Sequence, residues 1–248
     1  MIDYEDIIKN GIGFDASNYG YAVVEKSDMV FIPDIQNLVT GKYTKLWYDM
    51  ADWIAANIES ENIQHVIGAG DSTWSNNDNE YKYAKNGFNK FAESVSWSNM
   101  IGNHDYVWSD SSRDSSKYNS VFGEDYINST YSRFTYEDSF KDSEFGVSGV
   151  ENSYYTFTVN GVHWMVLQLE YYPRNNVLEW ANTVIQEHPN YNVILTTHAY
   201  LDGTGKYTKD SMAYTANDAN VGGSLGDSTE AIWNTVINDN AACFLYTL

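Results

Sequence analysis

The order of apolar runs along the chain constrains the fold more than any other feature. The runs "DMVFIPD" (28–34), "IQHVIGAGD" (63–71) and "SWSNMIGNHD" (96–105) each end in a polar, mostly acidic residue, and "YNVILTTH" (191–198) ends in a histidine. Helical segments lie between them. This alternation predicts a largely parallel α/β sheet. Ligands of such sheets bind at the carboxyl ends of the strands, where these polar residues lie.

Two local patterns add detail to this α/β arrangement. Between the first two runs, apolar residues recur at helical spacing and predict an amphipathic helix; they are Leu46, Met50, Trp53, Ile54 and Ile58. Farther on, Asn160-Gly161 separates two β-rich stretches and predicts a hairpin turn. The run "AACFLYTL" at the end of the sequence begins one more strand.

The segment 106–150 breaks the pattern with polar, low-complexity sequence that carries many aromatic residues. We interpret it as a long aromatic-rich insertion or loop within a single domain spanning residues 1–248, because no repeat or linker divides the chain. Its aromatic side chains either pack or contact a ligand, and packing is favoured. They are Tyr106, Trp108, Tyr118, Phe122, Tyr126, Tyr131 and Phe134.

Composition excludes several classes of partner and site. The 248 residues are enough for a sizeable core, and 14 Lys and Arg against 34 Asp and Glu give a net charge of −20. Such a surface repels nucleic-acid backbones and anionic membranes. The single cysteine, Cys243, excludes a disulfide framework within the chain and a Cys-rich zinc site. The sequence has no apolar run long enough for a membrane span, and its N-terminus lacks the pattern of a signal peptide.

The strand ends together offer a set of metal ligands. Carboxylate, amide and imidazole groups at one sheet edge suit Mn, Fe or Zn, and two such ions could hold phosphate and generate hydroxide near neutral pH. A turn or a helix cap explains any one of these residues alone, whereas the ordered set favours a metal site. The set is Asp34, Gln36, Asp71, Asn103, His104, Asp105 and His198. Glu170 and Tyr171, just past another strand, either line the cleft and bind substrate or pack.

The order "PDIQ", "GAGD", "GNHD" and "ILTTH" resembles the calcineurin-like metallophosphoesterases, from about residue 28 to the end of the sequence. The likeness is closer to bacterial members, often secreted, that carry Pro-Asp-x-Gln and a "YYTF…LQLEYYPR…VLEWA" stretch. This resemblance implies a four-layer α/β/β/α sandwich of two mixed sheets with two divalent metal ions. It also implies a small-molecule, glycan-linked or lipid-linked phosphate ester as substrate, and an extracellular or cell-surface location.

The resemblance also implies a role for each residue of the set. Asp34 would bind the first ion, Asp71 would bridge both ions, and Asn103 and His198 would bind the second. His104 would act on the leaving-group oxygen as an acid or charge stabiliser, with Asp105 orienting it. The implied reaction is hydrolysis of a phosphate monoester or diester by a hydroxide held between the ions.

The sequence departs from the family pattern in two places. Gln36 stands where most members have a metal-binding histidine, and the Gly-His-x-His block that follows a strand like "CFLYTL" is absent. The sequence is therefore either a fragment or a degraded relative of the family, and we expect a sandwich that is incomplete at its C-terminus, with weak or no activity. A non-catalytic binding or surface module on the same fold remains the alternative.

Overall fold

Three parallel strands form the first sheet: β1 (Asp28–Ile32), β2 (Ile63–Gly68) and β3 (Ser96–Asn99), side by side in that order. A small antiparallel ribbon follows, made of β4 (Val107–Ser109) and β5 (Ser112–Asp114). The computed structural model describes residues 26–109, 112–130, 135–141, 149–208, 229–238, 240 and 243–247.

The second sheet has five strands in the order β10-β9-β8-β7-β6. They are β6 (Thr135–Ser139), β7 (Ser153–Val159), β8 (Val162–Gln168), β9 (Asn192–Thr197) and β10 (Cys243–Thr247). The last three strands run parallel, and β6 to β8 form an antiparallel meander. The predicted hairpin joins β7 to β8, where Asn160 and Gly161 both have positive φ, as a tight type I′ turn requires.

The helices cover the outer faces of the two sheets. They are α1 (Thr44–Asn57), α2 (Asp78–Phe88), α3 (Ser116–Phe122), α4 (Glu124–Thr130), α5 (Asn175–Glu187) and α6 (Glu230–Ile232), which continues as a π-helical turn over Trp233–Ile237. In the described ranges, none of these helices has both the length and the apolar character needed to cross a bilayer.

Side-chain alternation along the strands separates the layers. Val66 packs with the helices over the first sheet, whereas its neighbour Ile67 packs between the sheets. In β9, Val193 and Leu195 face the helices over the second sheet, and Ile194 faces the first sheet. The chain is therefore an α/β/β/α sandwich, as the resemblance implied.

The prediction of the buried face of α1 is wrong for three of its five residues. Leu46, Met50 and Trp53 are exposed, although the helix itself is present. The buried stripe runs along Trp47, Ala51, Ile54 and Ile58. Trp47 anchors this stripe because its indole N–H donates to the carbonyl of Ala84, 3.1 Å away in α2.

The expectation of a long loop over residues 106–150 is also corrected, because the described residues of this segment form strands and helices. It contains β4, β5, α3, α4 and β6. Tyr106, Tyr118, Phe122 and Tyr126 are buried in the core under α2, which confirms packing for these four. The side chains of Trp108, Tyr131 and Phe134 lie outside the described residues.

A histidine is buried between the sheets, away from the strand ends. His65 in β2 is fully buried, its ring nitrogens lie 2.7 and 3.0 Å from the hydroxyls of Ser96 and Ser98, and its ring stacks on Phe157. Burial lowers the pKa of His65 from 6.5 to about 3. The neutral imidazole is therefore a structural part of the core.

We predict that this histidine makes the fold sensitive to acid. The unfolded chain binds the proton near pH 6.5 and the folded chain only near pH 3, so the free energy of unfolding falls as the pH drops through this window. The slope from this residue is at most about 1.4 kcal/mol per pH unit. Urea unfolding from pH 7 to 4 should give a smaller slope for His65→Gln than for the wild type. The control is His163→Gln, at the exposed start of β8, which should keep the wild-type slope. Equal slopes for all three would contradict the prediction.

Candidate metal centre

Three side chains meet where β1, β2 and β9 end. Asp34, Asp71 and His198 each offer one ligand atom, and these atoms all lie within 4.8 Å of one another. His198 Nε2 lies 3.4 Å from an oxygen of Asp71, and His198 Nδ1 lies 3.8 Å from an oxygen of Asp34. The structure thus brings together three of the residues that the sequence placed at strand ends.

A backbone carbonyl sets the orientation of His198. Its Nδ1 donates to the carbonyl oxygen of Ala69 at 2.8 Å, which leaves Nε2 directed toward Asp71. The N–H of Ala69 donates to Ile32 at 2.9 Å and extends the pairing of β1 with β2. Metal-binding histidines commonly have the second ring nitrogen held in this way, which fixes the tautomer.

Close backbone contact joins the loops after β2 and β3. Asp71 has φ of 45° and Gly70 has φ of 90°, in the left-handed region. A Cβ on Gly102 would lie 2.2 Å from an oxygen of Asp71, so only glycine fits there. Beside this contact, the N–H of His104 donates to Asp71 at 2.9 Å.

The electrostatics of the centre favour a bound cation. Burial raises the pKa of Asp34 and Asp71 raises it further, against the opposite effect of His198 and His104. Burial alone would lower the pKa of His198, but the hydrogen bond and charge of Asp71, helped by Ala69 and Asp34, raise it to about 9. Two carboxylates so close, one of them buried, need nearby positive charge. A divalent ion meets this need, and carboxylate with imidazole suits Mn, Fe or Zn.

Two further predicted ligands flank the cluster in sequence. The side-chain oxygen of Gln36 is buried and has no hydrogen-bond partner in the described part of the chain, which suits a metal ligand. Asn103 is half-buried and directly follows Gly102. The ligand roles of Gln36 and Asn103 stay predictions.

Asp105 binds backbone N–H groups, whereas the sequence predicted that it orients the ring of His104. Its fully buried carboxylate accepts hydrogen bonds from the N–H groups of Ser72, Thr73 and Gly102 at 3.0 to 3.1 Å, and so ties the two loops together. Burial and the nearby Asp71 raise the pKa of Asp105 to about 7, while the N–H groups of Ser72 and Gly102 oppose that shift.

The ring of His104 is oriented by a backbone carbonyl. His104 Nδ1 lies 2.6 Å from the carbonyl oxygen of Trp74, which corrects the expectation that Asp105 orients it. The two residues are neighbours in a short 3-10 turn, Asn103–Asp105, where successive side chains point in different directions. Sequence reasoning missed Trp74, although its place three residues after Asp71, in a strand-end loop, was an available signal.

Glu170 and Tyr171 occupy different environments. Glu170 is 1% exposed, and its carboxylate accepts from Arg174 Nε at 2.7 Å and from Arg113 at 3.3 Å. Burial alone would raise the pKa of Glu170, but the two arginines lower it to about 2. In this structure the carboxylate is held by guanidinium groups, which favours the packing role for Glu170. Tyr171 is buried with its ring 5.8 Å from that of His198, so it flanks the cluster.

An α/β/β/α sandwich with carboxylate and imidazole side chains together at its strand ends is an arrangement typical of metal-binding proteins. The sequence model of the calcineurin-like phosphoesterases matches residues 29–222, and the chain belongs to this family. It is 26% identical to the uncharacterized protein YvnB of Bacillus subtilis (strain 168) over 162 residues, which are 64% of this chain and 12% of that relative. The purple acid phosphatase PPD1 of yellow lupin (Lupinus luteus) seeds aligns with a TM-score of 0.43 and 15% identity, covering 80% of this chain and 34% of that one.

We predict that Gly102→Ala disrupts the centre. The added Cβ would meet Asp71 at its carboxylate and its backbone nitrogen, so Asp71 must shift. Manganese affinity should fall at least about tenfold, and the free energy of unfolding should fall by about 2 kcal/mol, as for other overpacked sites. Titration calorimetry and urea unfolding measure the two effects. Gly203→Ala is the control because a Cβ there meets open space. Unchanged manganese affinity in Gly102→Ala would contradict this account of the loop contact.

Proposed function

We propose that this chain forms the catalytic core of a phosphoesterase that hydrolyses phosphate monoesters or diesters with two divalent metal ions. The observation that carries the proposal is the convergence of Asp34, Asp71 and His198 within 4.8 Å at the strand ends. Family membership supports a metal-dependent phosphate-ester hydrolase in general terms. The number of ions and the ester type are the further steps of the proposal.

Each ion would be held by side chains from different strand ends. Asp34 with Gln36 would hold the first, Asn103 with His198 would hold the second, and Asp71 would be shared. Bound divalent ions of Mn, Fe or Zn supply positive charge for the phosphate and activate water as a nucleophile. The orientation of His198 by Ala69 supports this arrangement because it presents Nε2 to the shared carboxylate.

His104 would assist departure of the leaving group. Its Nδ1 is engaged by the Trp74 carbonyl, so Nε2 is the ring atom that can face substrate. When protonated, Nε2 would donate to the leaving-group oxygen as the ester bond breaks. Asp105 would hold the His104 loop against the Asp71 loop, so that proton donor and metal ligands keep a fixed separation.

The charge of the chain bears on the substrate. A net charge of −20 repels phosphate in general, so attraction must come from cations bound at the site. Nucleic acid, with its many phosphates, is disfavoured for the same reason. We propose a small-molecule, glycan-linked or lipid-linked phosphate ester as substrate, and an extracellular or cell-surface location.

We predict that substitutions at two residues separate metal binding from proton donation. Asp71→Asn should lose most bound manganese and all turnover, because it removes the charge of the shared carboxylate. His104→Ala should keep its manganese but lower turnover by about 10² to 10⁴-fold, the usual range for a general acid. The measurements are metal content after dialysis and hydrolysis of p-nitrophenyl phosphate and bis-p-nitrophenyl phosphate.

Asp49→Asn serves as the control because this carboxylate is exposed on α1, where it pairs with Lys45. It should match the wild type in both measurements. Equal loss of manganese in Asp71→Asn and His104→Ala would contradict the division of roles. Because the Gly-His-x-His block is absent, wild-type turnover is expected to be low but measurable. A wild-type chain that binds manganese but hydrolyses neither ester at a measurable rate would contradict the enzymatic proposal and favour a binding module.

A further inference from the structure

A large aromatic side chain stands beside the proposed proton donor. The indole of Trp74 is 48% exposed, and its ring centroid lies 5.0 Å from that of His104 with an interplanar angle of 30°. Single exposed apolar residues are ordinary on protein surfaces. Trp74 differs from exposed residues such as Trp53 because it contacts a side chain of the candidate site.

The backbone around Trp74 is held firmly on both sides. The N–H groups of Trp74 and Ser75 both donate to one carboxylate oxygen of buried Glu80, at 3.0 and 2.7 Å. On the other side, the Thr73 hydroxyl donates to Asp105 at 3.1 Å, and the Trp74 carbonyl accepts from His104. These bonds fix the backbone of Trp74 relative to the loop of Asp105, and the ring contact with His104 orients the indole, as a binding surface requires.

The position of the indole next to His104 suits contact with the leaving group of a substrate. If His104 addresses the leaving-group oxygen, the group attached to that oxygen lies next to His104, and the exposed Trp74 ring is a large apolar surface in contact with His104. A neutral ring can bind this group by stacking without adding negative charge next to the phosphate. Because the indole contacts His104 directly, it suits a flat ring joined to the ester oxygen itself better than a ring on a long arm.

We infer that Trp74 forms a stacking subsite for the aryl leaving group of a phosphate ester, an inference that rests on the proposed function. The substrate class is thus narrowed to esters of phenol-like alcohols. One aromatic stack contributes about tenfold to affinity, with wide variation between sites.

The test compares two ligands that cannot be hydrolysed. Phenylphosphonate and methylphosphonate share the phosphoryl group, and only the first has a ring. Titration calorimetry on the manganese-loaded chain should give about tenfold tighter binding of phenylphosphonate. Trp74→Ala and Trp74→Leu should reduce this preference to within about twofold, and Trp74→Phe should keep most of it. Trp53→Ala, which removes a similarly exposed indole from α1, should keep all of it.

The outcomes separate this inference from the proposal on which it rests. Equal affinity of the wild type for the two phosphonates, or an unchanged preference in Trp74→Ala and Trp74→Leu, overturns the subsite while the phosphate site stands. If the manganese-loaded wild type binds neither phosphonate, the proposed function fails and the inference fails with it. If Trp74→Ala is misfolded, it will bind methylphosphonate more weakly than the wild type. In that case the phenylphosphonate preference of Trp74→Leu, compared with that of Trp74→Phe, tests the subsite.

Discussion

The candidate site depends on the hydrogen bonds that the buried carboxylate of Asp105 accepts. It binds the backbone N–H groups of Ser72, Thr73 and Gly102, and so joins the loops that follow two neighbouring strands. With this bond in place, Gly102 can approach Asp71 closely, and the N–H of His104 can reach the Asp71 carboxylate. A candidate metal ligand, Asp71, and a candidate proton donor, His104, are thereby held in one unit.

Two neighbouring carboxylates make the candidate site attractive to a cation. Asp34 and Asp71 lie in one cluster with His198, and the raised pKa of His198 reflects the positive charge that the carboxylates require. Folding therefore creates a place where a cation is favoured before any substrate binds. The neutral indole of Trp74 contacts His104 beside this cluster without adding to its charge, so the inferred subsite would recognise the leaving group separately from the phosphate.

Local sequence predicted the strand ends and therefore the positions of Asp34, Asp71 and His198. It could not predict which polar groups meet across loops, because the contact of Asp105 with Ser72 spans 33 positions and depends on the sheet register. The same limit applies to α1, where Leu46, Met50 and Trp53 recur at helical spacing much as Trp47, Ala51 and Ile54 do. Packing against α2 decides between the two faces.

The most direct test of the account is anomalous diffraction from crystals of the wild-type chain grown with manganese, recorded at the manganese absorption edge. Two bound ions would give two peaks, one beside Asp34 and the other beside His198, with the Asp71 carboxylate between them. A single peak would contradict the two-ion arrangement. The absence of any peak near these residues would contradict the claim that the strand ends form a metal centre.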